Sequence, residues 1–218
     1  MKQLVIVCRN ISINWQQFKD PIYIGVESGT LALINNNLAI TFACGDFDSV
    51  SKEELKRIEI FNKENNFSII KVSETKDYLD SELAIIEAIK QKLSFEQIVL
   101  VTGGHRWDMI LAQINFLRKY QQSHPILISE HNYLFALSEG SRYSFNSEQL
   151  KYQYISFFTL NDQDVIYNFV GCQYFPGEDV TINKQDVLAI SNQFDLKNNQ
   201  HPNIEIKKGW CLVCLAKK

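Results

Sequence analysis

The sequence predicts an α/β N-terminal domain with a mostly parallel sheet, followed by a smaller all-β sandwich domain. Up to residue 130, short apolar runs alternate with segments at helical spacing, which is the signature of βαβ units. From residue 131 the long helical stripes stop, and short aromatic and β-branched runs follow, broken by turn residues. With 218 residues, 45% apolar and 22% charged, the chain can build sizeable cores in both parts. The expected division is therefore residues 1–130 and residues 131–218.

Leu4–Cys8 and Ile22–Gly25 are apolar and short enough for buried strands. Glu27-Ser28-Gly29-Thr30 then opens a short helix over Leu31–Asn36, and Leu38–Cys44 is a third strand. Ser51 suits a helix cap, with Glu53 and Glu54 at the positive end of the helix dipole. Ser68–Val72 is a fourth strand, and Leu79, Leu83, Ile86, Ile89 and Leu93 form one helical stripe after it. Ile98–Val101 is a fifth strand, Ile110, Leu111, Ile114 and Leu117 a second stripe, and Pro125–Ser129 a sixth strand. Beyond these, Phe145, Tyr152, Tyr154, Phe157 and Phe158 lie close together, and Glu205–Lys207 and Leu212–Leu215 read as late strands around Lys208-Gly209. Val187–Ile190 is a further apolar run, ending at Ser191-Asn192.

A net charge of −3 gives no global basic field that would draw the chain to nucleic acid or to an acidic membrane. The five cysteines are scattered. The one C-x-x-C, Cys211 and Cys214, has no second pair or nearby histidine to complete a zinc site, and it reads as buried thiols on a strand. The N-terminal apolar run is short and lacks a cleavage site, so it reads as a first strand. No stretch is long enough to span a bilayer. A soluble cytoplasmic protein is the expectation.

Chemistry concentrates at three strand ends. Gly45-Asp46-Phe47-Asp48-Ser49 follows the third strand. Its two carboxylates are the hard donors that Mg²⁺ accepts beside substrate phosphates, at the edge where open α/β sheets bind ligands. A solvated turn capping the next helix has the same appearance. Lys76-Asp77-Tyr78-Leu79-Asp80-Ser81-Glu82 follows the fourth strand. Acidic residues in a first helical turn need no ligand, but two such clusters at neighbouring strand ends repel unless a cation joins them. Lys76 suits a phosphate or a neutralising role. Thr102-Gly103-Gly104-His105-Arg106-Trp107-Asp108 follows the fifth strand, with glycines that free backbone N–H groups for an anion and an arginine fork suited to phosphate. A tight turn with Arg106 paired to Asp108 is the plainer alternative. The chain contains neither G-x-x-x-x-G-K-[ST] nor G-x-G-x-x-G, so a nucleotide would be held through metal, Arg or Lys, and backbone amides. The four histidines have no ligand spacing. Trp15, Trp107 and Trp210 suit core packing as well as stacking on a flat ligand.

These motifs, in this order, resemble those of the thiamine pyrophosphokinases: GDFDS at 45–49, then Lys76-Asp77 with Asp80 and Glu82, then Gly104 with Arg106 and Asp108. Val170–Pro176 resembles the family's G-L-x-Y segment, Ser191-Asn192-Gln193-Phe194 its S-N-E-[FY], and Val26-Glu27-Ser28-Gly29 its V-D-x-G. Leu79, His105, Met109, Gln113 and Glu27 depart from the pattern. The resemblance implies an α/β catalytic domain and a β-sandwich, paired as a homodimer with thiamine at the subunit interface. It also implies transfer of diphosphate from ATP to thiamine. Asp46, Asp48, Asp77 and Asp80 would hold Mg²⁺; Lys76, Gly104 and Arg106 would bind ATP phosphates; and Ser191 and Asn192 would contact thiamine. Asp108 would orient either Arg106 or the thiamine hydroxyl. Two other readings stand beside this one. A D-x-D after a strand also suits a Mg²⁺-dependent phosphohydrolase, and His105 and Met109 keep a non-catalytic thiamine- or nucleotide-binding relative in view.

Overall fold

The computed structural model describes residues 1–71, 78–198 and 200–218, so the expected site residues Lys76 and Asp77 lie outside the described residues. The chain divides into two compact units. One is 1–110 with 128–130, and the other is 111–127 with 131–218.

The first unit is a parallel sheet with helices. Its strands are β1 (Gln3–Val7), β2 (Pro21–Val26), β3 (Ile40–Gly45), β4 (Ser68–Lys71) and β5 (Gln97–Val101). They lie in the order β4-β3-β2-β1-β5, every neighbouring pair parallel. β1 and β5 are buried along their whole length, as expected of parallel strands covered on both faces. The connecting helices are α1 (Gly29–Asn35), α2 (Lys52–Asn65) and α3 (Asp80–Lys90). The start of α2 is set by a capping box. The Ser51 hydroxyl accepts from the Glu54 N–H, and the Glu54 carboxylate accepts from the Ser51 N–H at 2.9 Å. Ile58 of α2 packs with Leu31 and Ile34 of α1 and with Ala43, Phe47, Val50 and Phe67, closing the core on that side.

Two helical stripes differ from the sequence expectation. In α3 the buried residues are Ala84, Ile85 and Ala88, while Ile86 and Ile89 are 42% and 60% exposed. The apolar residues of this segment surround the helix, so their spacing alone did not set the phase. The two alanines permit a close approach to β2 and β3, and that face won. In α4 (Trp107–Lys119), Phe116 and Leu117 are buried, but Leu111 is 61% exposed.

The second unit carries β7 (Asn132–Leu137), β8 (Arg142–Ser144), β9 (Tyr154–Thr159), β10 (Val165–Val170), β11 (Asp179–Ile182), β12 (Asn203–Lys208) and β13 (Cys211–Ala216), which follow the short β6 (Ile126–Ile128). β13 pairs antiparallel with β7 on one side and β9 on the other, and a separate antiparallel sheet runs β11-β10-β12-β8. Rings from both sheets interlock between them: Phe135, Tyr143, Phe145, Phe157, Tyr167 and Phe169. This is the expected all-β sandwich, with an aromatic core. Val187–Ile190 is not a strand. Ala189 is buried there, but Val187, Leu188 and Ile190 are exposed. Cys211 is fully buried in β13, and burial pushes the less enclosed Cys214 thiol up to about 11, which suits packing thiols rather than a reactive pair. Among the described residues, no helix is long and apolar enough to cross a membrane.

Candidate active site

The carboxyl edge of the parallel sheet brings together acidic side chains from two neighbouring strands. β3 ends in Gly45, and the chain turns with Phe47 in the left-handed region at φ 61°. The Phe47 ring is 5% exposed and belongs to the α1–α2 core. With Phe47 drawn inward, Asp46 and Asp48 flank it, and the Asp48 N–H donates to Asp46 Oδ1 at 3.2 Å. Alternation of acid, aromatic, acid thus serves both needs of the turn. The aromatic anchors it, and the two acids stand together at its mouth.

A third carboxylate comes from β2. Glu27 follows Val26 with φ 52°, and its N–H donates to the Cys44 carbonyl at 3.1 Å. Its Oε1 accepts from the Phe47 N–H at 2.7 Å, and its Oε2 from the Ser49 hydroxyl at 2.6 Å. Gly45 makes this possible, because a Cβ there would stand 2.2 Å from Glu27 Oε1, at a backbone φ of 139°. Carboxylate oxygens of Glu27, Asp46 and Asp48 all lie within 4.8 Å of one another. Burial pushes the Glu27 carboxyl above its ordinary value. The Ser49 and Phe47 hydrogen bonds pull it back, and the adjacent Asp46 pushes it up again. The donor set is oxygen only and anionic, which fits a hard divalent cation such as Mg²⁺ and does not fit a thiophilic metal.

Sequence reading recognised Glu27 only as a departure from the V-D-x-G pattern and gave it no part in the site. The available signal was its position, the first acidic residue after a predicted strand, like Asp46. Asp80 is the first residue of α3 and stands near this edge, with its carbonyl oxygen 4.0 Å from the Cys44 sulfur. It is not a member of the three-carboxylate group that the described residues form.

The turn after β5 is organised differently. Gly104 has φ 119°, and Arg106 and Asp108 are exposed and paired. Arg106 Nε donates to Asp108 Oδ1 at 3.2 Å and Nη2 to Oδ2 at 2.5 Å. The pairing holds the Asp108 carboxyl below its ordinary range and raises the guanidinium. A second arginine that sequence reading did not single out, Arg9, follows β1 and approaches Gly104.

In the second unit, Ser191 is exposed with φ 59°, and its N–H donates to Ser156 Oγ at 3.0 Å. Asn192 is buried, and its amide is engaged by the backbone. Oδ1 accepts from the Tyr174 and Gln193 N–H groups, and Nδ2 donates to the Tyr174 carbonyl at 3.0 Å. Asn192 also borders a cavity of about 200 Å³ lined by Tyr167, Tyr174, Phe175, Val180 and Leu188. Of the tryptophans, Trp107 is 77% exposed, and Trp15 packs on Phe18 and Tyr23.

Hard carboxylates at the carboxyl edge of an open parallel sheet, with a glycine–arginine turn on the same edge, are a layout suited to a phosphate-bearing ligand. The sequence model for the catalytic domain of thiamin pyrophosphokinase matches residues 15–128, more than half of the chain, and the chain belongs to that family. The thiamine pyrophosphokinase of Bacillus subtilis is 29% identical over 174 residues, covering 79% of this chain and 78% of that protein. A crystal structure of thiamine pyrophosphokinase from the same organism superposes with a TM-score of 0.80 at 22% identity, over 100% of this chain and 99% of the other. That of Candida albicans superposes at 0.71 and 15% identity, over 99% of this chain and 90% of the other. The fold is therefore shared by bacterial and fungal proteins of that name.

Proposed function

We propose that the chain converts ATP and thiamine to thiamine diphosphate and AMP with Mg²⁺ as its metal. The observation that carries this reading is the group formed by Asp46 and Asp48 of the GDFDS turn with Glu27 from the end of β2, in a chain of this family. In the reaction, the thiamine hydroxyl oxygen bonds to the β-phosphorus of ATP and gives up its proton. The bond between the β-phosphorus and the oxygen bridging to the α-phosphorus breaks, and AMP leaves. When bound, Mg²⁺ neutralises charge on the phosphates. The protein's part is to position groups and stabilise charge.

Asp46 and Asp48 are the metal-holding side chains in this reading, with Asp77 and Asp80 contributing from the next strand end. Lys76, Gly104 and Arg106 take phosphate oxygens, and the bidentate pairing with Asp108 supports an orienting role for Asp108 on Arg106. Ser191 and Asn192 belong to the thiamine side. The aromatic cavity beside Asn192 suits flat cationic rings, while the engagement of the Asn192 amide by Tyr174 favours a shaping role over direct contact. Residues 1–130 form the ATP and Mg²⁺ part and 131–218 the thiamine part of a cytoplasmic homodimer, with its active site at the subunit interface.

The test is to incubate the purified protein with ATP, Mg²⁺ and thiamine and follow both products. AMP and thiamine diphosphate are expected in equal amounts. Phosphate release without thiamine would indicate a hydrolase, and thermal stabilisation by thiamine without AMP a binding protein. Asp46→Asn is expected to lower AMP formation by about a hundredfold or more while leaving the circular dichroism spectrum unchanged. Full activity in that variant would remove the metal assignment.

A further inference from the structure

β1 is the pivot of the parallel sheet. The chain lays β2, β3 and β4 in succession on one side of it, then crosses to place β5 on the other. In open α/β sheets, ligands sit in the crevice outside the carboxyl ends of the strands at such a reversal. Here the crevice is flanked by Cys8-Arg9 after β1 and by Thr102-Gly103-Gly104 after β5. The two strand ends are held level, since Val7 pairs with Val101 and the Cys8 N–H donates to the Val101 carbonyl at 2.8 Å.

Arg9 is exposed at this point, and its Nη2 lies 3.9 Å from where a Cβ on Gly104 would stand. Arg106, on the same turn, has its fork closed on Asp108. Arg9 forms no ion pair among the described residues, although Glu27 stands at the end of the adjoining β2 and Asp46 and Asp48 stand one strand further, after β3. The end of β3 is two strand spacings from β1, roughly 10 Å away. A guanidinium at the reversal and a carboxylate-held cation two strands away are spaced to hold the two ends of one extended polyanion.

We infer that Arg9 is a polyphosphate-binding residue, whose guanidinium takes phosphate oxygens of the nucleotide above the bare Gly103–Gly104 backbone. The planar fork suits bidentate contact with phosphate, and the absence of side chains on the glycines leaves backbone N–H groups open to the same oxygens. This rests on the ATP-dependent reading given above, and it adds a cation that none of the three strand-end motifs contains.

The experiment uses the full chain and the variants Arg9→Ala, Arg9→Lys and, as a control that removes the same charge from β8, Arg142→Ala. Inorganic tripolyphosphate binding is measured by calorimetry, and KM for ATP, KM for thiamine and kcat by AMP formation. Arg9→Ala is expected to weaken tripolyphosphate binding and raise KM for ATP by about tenfold or more, with KM for thiamine within about twofold of the parent. Arg9→Lys is expected to recover part of the loss, because it restores the charge without the fork. Arg142→Ala is expected to bind tripolyphosphate as the parent does. Arg9→Ala binding tripolyphosphate within about twofold of the parent would overturn the assignment, as would a parent that binds no tripolyphosphate. A parent that binds tripolyphosphate but forms no AMP would overturn the reaction alone, and the binding comparison would still decide Arg9.

Discussion

After β3 the chain turns around a buried phenylalanine, and Glu27 reaches across from the adjacent strand to grip the backbone at Phe47 and the hydroxyl of Ser49. After β5 it turns with Arg106, Trp107 and Asp108 all exposed and the two charged side chains paired with each other. Both turns end parallel strands on one sheet edge. The first is bound into the core through Phe47 and through the Glu27 hydrogen bonds. The second is held by a solvent-exposed ion pair, which contributes little to stability and is easily exchanged for a phosphate. A metal site benefits from rigid donors. A phosphate-binding turn can be completed by its ligand.

The largest expected effect breaks the first turn at its anchor. Phe47→Ala removes a buried ring from the α1–α2 core and is expected to cost about 3–5 kcal/mol, read by urea unfolding. A cost near that of a surface substitution would mean that the turn is not core-bound. Glycine substitutions sharpen the contrast. Gly45→Ala must accept both a φ of 139° and a Cβ 2.2 Å from Glu27 Oε1, whereas Gly104→Ala meets an unfavourable φ of 119° but only an ordinary contact at 3.9 Å with Arg9. Both are expected to destabilise by about 1–3 kcal/mol, with Gly45→Ala at the upper end. Equal costs, measured the same way, would remove the distinction between the turns.

The smallest expected effect concerns protons. The Glu27 carboxyl is raised above its ordinary 4.5, chiefly by burial. The folded, metal-free protein therefore binds this proton more tightly than the unfolded chain does. The resulting stabilisation is fully present below pH 4.5 and is lost as pH rises through the folded value. Glu27→Gln lacks this titration. In EDTA, the parent is expected to lose stability relative to Glu27→Gln as pH rises through that window. A pH-independent difference between the two would show that Glu27 is not confined as described.

How much of the site could be read in the sequence depends on how local each feature is. The GDFDS turn was visible because the residues that make it are consecutive, and the helix start at Ser51 because a cap acts within one turn, although the return bond from Glu54 was seen only in the structure. The Arg106–Asp108 pair was visible as an alternative for the same reason. Glu27 and Arg9 were not, because what makes them part of the edge is the adjacency of β2 with β3 and of β1 with β5. The phase of α3 was misjudged for a related reason. Its isoleucines surround the helix, and the sheet selected the alanine face. The hydrogen bonds between the Asn192 amide and Tyr174 were not legible either, because the two residues are distant in the chain.

The sequence by itself determined the two-part architecture, the order of strands and helices, and the acid-aromatic-acid turn, because periodicity and turn chemistry act over a few residues. The order of strands in the sheet, the third carboxylate from Glu27 and the position of Arg9 beside Gly104 were decided by tertiary structure alone. Those features arise from packing between segments that are separate in the chain, and local spacing carries no record of which strand ends will meet.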